Sequence, residues 1–130
     1  MSNLPAVIED NELLARFVMV REWIRADGTV RPDAFIPPKD LNLSTTRHGT
    51  LQPAALWEIG DFVARQFEKD LIGRADVAVR NVRATGLLVE PAPLPENPHH
   101  MHVTGWPTDK PSQKVLALQL SEKSSYIPKL

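Results

Sequence analysis

The segment Asn97-Pro98-His99-His100-Met101-His102 carries three of the chain's four histidines and is its densest concentration of reactive side chains. In a strand, alternate residues share a face, so His100, His102 and Thr104 point one way and Met101 and Val103 the other. Two imidazoles at that spacing can share a metal ion, and either can give or take a proton near neutral pH. A metal needs one or two further ligands, for which His48 or a distant carboxylate would have to serve. The plainer alternative has Met101 and Val103 facing the core and the histidines facing water. Arg47-His48, just after Ser44-Thr45-Thr46, forms a second group. An arginine's planar fork suits a phosphate or a carboxylate, but the same residues also make an ordinary polar loop before a helix.

Further arginines flank the segments that read as strands: Arg16, Arg21, Arg25 and Arg31 early, and Arg74, Arg80 and Arg83 in the middle. Gathered on one side, Arg16, Arg47 and Arg74 would make an anion site with His100 beside them. Scattered, they would pair with the 16 acidic residues. Trp106, held between Gly105 and Pro107, is either a rigid stacking platform or a plug between strand and helix. With Trp57 it is a candidate interface anchor. Glycine-rich phosphate loops, nucleophile elbows and zinc-protease helices are not in the sequence.

These residues need a scaffold of short elements. Leu13, Phe17, Val20 and Ile24 fit a helical stripe, but Phe17-Val18-Met19-Val20 is rich in β-branched and aromatic side chains and favours a strand over about 15–21. Asp10-Asn11-Glu12 would cap a helical turn ahead of it. Asp27-Gly28 suits a tight turn, from which 30–36 would pair back as a second strand limited to an edge by Pro32. A short strand is expected near 41–45. The spacing of Leu56, Ile59, Gly60, Val63 and Phe67 predicts a helix over 51–71, capped by Thr50 and stopped by Gly73. Strands are expected at 76–80, 87–89 and 100–104, with a helical turn at 81–86. A second long helix over 110–124, capped by Thr108 or Asp109, turns Val115, Leu116, Leu118 and Leu120 inward. Four prolines between Glu90 and Pro98 make an extended surface strap.

The result is an α+β fold: a small mixed or antiparallel sheet of short strands with two main helices packed on it. At 130 residues this is one domain, residues 1–130, with a flexible arm over 1–10. A net charge of −1 gives no basic excess for nucleic acid. The chain has no cysteine, which excludes disulfides and thiolate metal sites and leans towards the cytosol. The start of the sequence lacks a signal peptide's basic and apolar regions, and no apolar run approaches a membrane span.

In order along the chain, Ala15-Arg16-Phe17-Val18, Pro32-Asp33-Ala34-Phe35-Ile36-Pro37, Leu43-Ser44-Thr45-Thr46-Arg47, Gly73-Arg74-Ala75-Asp76 and His100-Met101-His102-Val103-Thr104-Gly105-Trp106-Pro107 resemble a group of short, functionally uncharacterised bacterial proteins. The resemblance spans most of 13–120 and implies a bacterial, cytoplasmic setting without an assigned activity. In that pattern His100 and the Gly-Trp-Pro turn match, whereas His99 and His102 depart from it, which argues against a histidine-only metal site. No cofactor is indicated.

Two functions fit. The favoured one is a protein-binding or accessory module, with an unknown protein partner or self-association, using Trp57 and Trp106. The other is a small enzyme or ligand-binding domain acting on a phosphate-bearing substrate such as a nucleotide or RNA. There Arg16, Arg47 or Arg74 would hold the anion and His100 would move a proton. The second requires His100 and at least one of those arginines to line one cleft.

Overall fold

The computed structural model describes residues 7–130. Six strands form one sheet: β1 (Leu13–Val18), β2 (Leu43–Arg47), β3 (Gly73–Ala78), β4 (Leu88–Pro91), β5 (His100–Thr104) and β6 (Ser125–Pro128). Their spatial order is β4-β5-β2-β1-β3-β6, and every neighbouring pair is antiparallel. Among the described residues three α-helices complete the fold, α1 (Pro53–Gln66), α2 (Val79–Ala84) and α3 (Lys110–Lys123), so the α+β expectation holds with the sheet wholly antiparallel. No helix among the described residues is long and apolar enough to cross a membrane.

Alternation along β1 divides the interior in two. Leu14 and Val18 join Leu43, Val77, Met101 and Val103 in the larger apolar cluster, closed over by α2, α3 and a 3-10 turn at Pro32–Phe35. Ala15 and Phe17 face the other way and meet Leu56 and Ala64 of α1, with Leu71, in a smaller cluster. The sheet is thus sandwiched, α1 on one side and α2 with α3 on the other. Arg16 lies between Leu14 and Val18, in a stripe that otherwise turns apolar side chains to the larger cluster.

Several local expectations give way to tertiary packing. The turn at Asp27-Gly28 forms, with Gly28 at φ 86 and Asp27 Oδ1 accepting from Thr29. Its return strand does not extend: Val30 makes one isolated bridge to Ile24, and Pro32–Phe35 winds into the 3-10 turn. Pro32 has no N–H for a ladder and its φ suits the first turn of a helix, so burying Ala34 and Phe35 is better served by winding. Residues 10–12 make a turn, with β1 starting at once afterwards.

Helix α1 ends at Gln66, well short of Gly73. Glu68 takes the left-handed position (φ 55), and the Lys69 N–H closes the end on Ala64 O at 2.9 Å. Gly73 opens β3, and its place there is set by close approach: a Cβ would lie 2.6 Å from Ile127 O and 2.7 Å from the Tyr126 ring. The helix starts after Gln52, with Pro53 in its first turn and no side-chain cap from Thr50. In α3 the Asp109 cap forms, its carboxylate accepting from Ser112 N–H at 2.9 Å. The face it buries is Gln113, Ala117, Leu120 and Ser121, while Val115 and Leu118 stay exposed. Short side chains at Ala117 and Ser121 let this helix sit close to its neighbours.

The expected arm over 1–10 falls largely outside the described residues. Of its described part, Ile8 is buried in the larger cluster and Arg80 N–H donates to Asp10 O at 2.9 Å.

Candidate functional site

The main concavity follows from an incomplete seam in the sheet. β1 and β2 pair at Leu14↔Arg47 and Ala15↔Thr46 and then part, whereas β1 pairs with β3 along its full length. In the opening, Arg16 Nη1 donates to Ser44 O at 3.1 Å and Nε donates to Ala34 O at 2.8 Å. A cleft of about 400 Å³ lies over the seam. Phe17, Ser44 and Thr46 form its base, Val63 and Gln66 of α1 with Phe67 just past its end one wall, and Leu94, Glu96, Asn97 and His100 the other, with Ile36, Pro38 and Asn42 also lining it. Phe17 and Arg16 project to opposite faces of β1 yet both line this space, so it reaches into the gap between the strands.

The Asn97 side chain anchors the proline strap to the sheet. Asn97 is buried; its Nδ2 donates to Thr46 Oγ1 at 3.0 Å and its Oδ1 accepts from His99 N–H at 3.1 Å. This ties the strap to β2 and sets the distance between the cleft walls. On β5, Met101 and Val103 are buried and His100 and His102 lie on the cleft side, their rings edge to face at 4.9 Å. His100 Nδ1–H donates to Ala92 O at 2.8 Å, which leaves Nε2 as the free acceptor. Loss of hydration on burial lowers the pKa of His100 and of His99, which favours the neutral imidazole at both.

Of the residues singled out from the sequence, Arg16 and His100 line this cleft, and Arg47 and Arg74 do not. Arg47 projects to the opposite face, almost fully buried, where its Nε and Nη2 bond the carboxylate of Glu12 at 2.7–2.9 Å. Arg74 lies beneath α1, its guanidinium 4.6 Å from the Trp57 ring centroid. Arg74 Nε donates to both oxygens of the buried Asp76 at 3.1 Å, and His48 Nε2–H donates to Asp76 Oδ1 at 3.1 Å. Trp57 is half-buried with that cation on its face. Trp106 is buried in the larger cluster, its Nε1–H donating to Val103 O at 2.9 Å. Among the described residues, no group of three or more His, Asp or Glu side chains is placed to hold a metal.

Sequence reasoning passed over Phe17, Val63 and Asn97 as cleft residues. One signal was in view: a charge in the middle of Leu14-Ala15-Arg16-Phe17-Val18 breaks the apolar register of a central strand. Such a charge costs stability unless something compensates it. Compared with protein families, curated proteins and solved structures, the chain matches none.

Proposed function

We propose that this chain is a small-molecule-binding domain that takes its ligand in the cleft between α1, the proline strap and the parted strands β1 and β2. The observation that carries this reading is the make-up of the cleft. It has mostly apolar walls and a few convergent polar groups, among them the Arg16 guanidinium and the His100 imidazole. Ligand sites are typically concave and mostly apolar, with a few placed polar groups that set orientation. At about 400 Å³ the space is near the small end of the usual range, which suits a compact ligand.

The geometry gives less support to protein docking through tryptophan. Trp106 offers no exposed face, and Trp57 carries Arg74 on one side. A phosphate-rich ligand such as a nucleotide finds less here than the sequence suggested. Arg47 and Arg74 are engaged by Glu12 and Asp76, which leaves Arg16, of the three, to line the cleft with His100.

The test is chemical-shift mapping of the isotope-labelled chain with a panel of compact amphipathic probes: octanoate, 1-octanol, octylamine and octyl phosphate. The expected outcome is saturable shifts confined to Phe17, residues 44–46, 63–67 and 94–100. Val63→Trp, which fills the cleft from α1, should weaken the best probe by roughly tenfold or more. Shifts that map elsewhere, or probes indifferent to Val63→Trp, would overturn the reading.

A further inference from the structure

We infer that the ligand of this cleft is a monocarboxylate with a compact apolar body, its carboxylate docking on Arg16. The inference rests on the ligand-binding reading above and adds the chemical class of the ligand.

Arg16 occupies a position where strand alternation turns side chains towards the larger apolar cluster. An arginine placed there normally carries a carboxylate with it, because an uncompensated charge away from water is costly. Arg16 is half-buried, and the two other arginines on the sheet faces follow that rule: the buried Arg47 has Glu12 and the half-buried Arg74 has Asp76. No ion pair among the described residues includes Arg16. Its Nε and Nη1 each meet a backbone carbonyl, which is a dipole and not a counter-charge. Among the described residues, Nη2 has no hydrogen-bond partner at all. The side chain is nonetheless held in place, with its guanidinium 5.5 Å from the Trp23 ring centroid. Loss of hydration lowers its pKa to about 10, so it is still charged at pH 7. What remains is a positioned cation lining the cleft through the gap between β1 and β2, with donor capacity unspent.

A planar carboxylate matches a guanidinium edge, and a charge-assisted hydrogen bond in a site partly shielded from water is among the stronger polar contacts. Charge count selects the class. Among the described residues Arg16 is the one cation lining the cleft, and the Glu96 carboxylate stands on its wall, which disfavours a dianion. The rest of the lining, from Phe17, Ile36, Val63, Phe67 and Leu94, asks for hydrocarbon.

The deciding experiment is calorimetric titration of the whole chain with the same four probes, followed by Arg16→Met and Arg16→Lys. Octanoate should bind roughly tenfold or more tightly than 1-octanol, with octylamine and octyl phosphate weaker than octanoate. Arg16→Met should erase the advantage of octanoate and leave 1-octanol where it was; Arg16→Lys should keep part of it. If Arg16→Met does not fold, the wild-type ranking of octanoate against 1-octanol and methyl octanoate decides alone. Octanol equal to octanoate would overturn the carboxylate assignment and leave the ligand-binding reading standing. Octyl phosphate binding tighter than octanoate would overturn the choice of a monoanion. Silence from every probe would overturn both readings together.

Discussion

His99 and His100 carry different loads, although they are adjacent in sequence. Each donates Nδ1–H to a backbone carbonyl, His99 to Arg47 O at 3.2 Å and His100 to Ala92 O at 2.8 Å, so each helps to hold the strap against the sheet. Burial is the first cause of the lowered pKa at both, and the folded chain therefore takes up their protons less readily than the unfolded chain, whose reference value is 6.5. The sign follows: the unfolded state binds more protons, so this part of the stability is fully present above about pH 6.5 and is lost as pH falls through the lower folded values. Urea unfolding of the wild type should show a falling midpoint between about pH 7.5 and about pH 5. His100→Asn keeps a donor for Ala92 O but cannot titrate. It should flatten that slope. An unchanged slope would show that His100 is not among the groups responsible. At this scale the sequence was readable in part. The sidedness of His100, Met101, His102 and Val103 follows from alternation alone. The fates of Arg16, Arg47 and Arg74 do not, because their partners Glu12 and Asp76 and the carbonyl of Ala34 arrive from other parts of the chain.

Gly60 shows how an element sets the shape of the cleft. It lies on the buried side of α1, where a Cβ would stand 2.7 Å from a Phe17 ring carbon and 2.8 Å from a Leu71 methyl. In an exposed helix the change from glycine to alanine would gain about 0.5–1 kcal/mol. Here overpacking opposes it at about 1–3 kcal/mol, so Gly60→Ala should lower stability by about 1 kcal/mol in urea unfolding. Because Phe17 is also part of the cleft base, the same substitution should weaken octanoate binding. A variant more stable than wild type would mean that α1 has room to move outward. The helices were legible because their stripes are long; their ends were not. Gly73 looked like a stop signal but is reserved for the ring of Tyr126, and the helix closed earlier through Glu68. The apolar residues of α3 suggested an inward face at Val115 and Leu118, yet the closer fit comes from Ala117 and Ser121. Helical spacing lists which residues share a side, and neighbouring elements decide which side is buried.

The whole sheet depends on long connections, with β1 at its centre joined to β2 and β3, and β6 reached only after α3. That last strand was missing from the sequence reading, since four residues ending in proline give no alternation to detect. It covers the edge of β3, where Tyr126 Oη donates to Ile72 O at 3.3 Å and Lys129 N–H donates to the same carbonyl at 2.9 Å. Ending the chain after Ser124 should cost about 2 kcal/mol from the lost burial of Tyr126 and Ile127. It should also leave the β3 edge open to pairing with another copy. Denaturant titration and light scattering would read the two effects, and a truncated chain as stable and as monomeric as the full one would contradict them.

The proposed ligand cleft and the bulk of the apolar core use largely different parts of one sheet. Most of the apolar interior lies with α2 and α3, while the cleft draws mainly on the α1 side of the sheet and the strap tied by Asn97, with Arg16 and Ile36 reaching it from the other face. Substitutions at Val63, Gln66, Phe67 or Leu94 can therefore accumulate with little harm to folding. A lineage of such chains could change its diet through those positions alone, keeping the foundation it inherited.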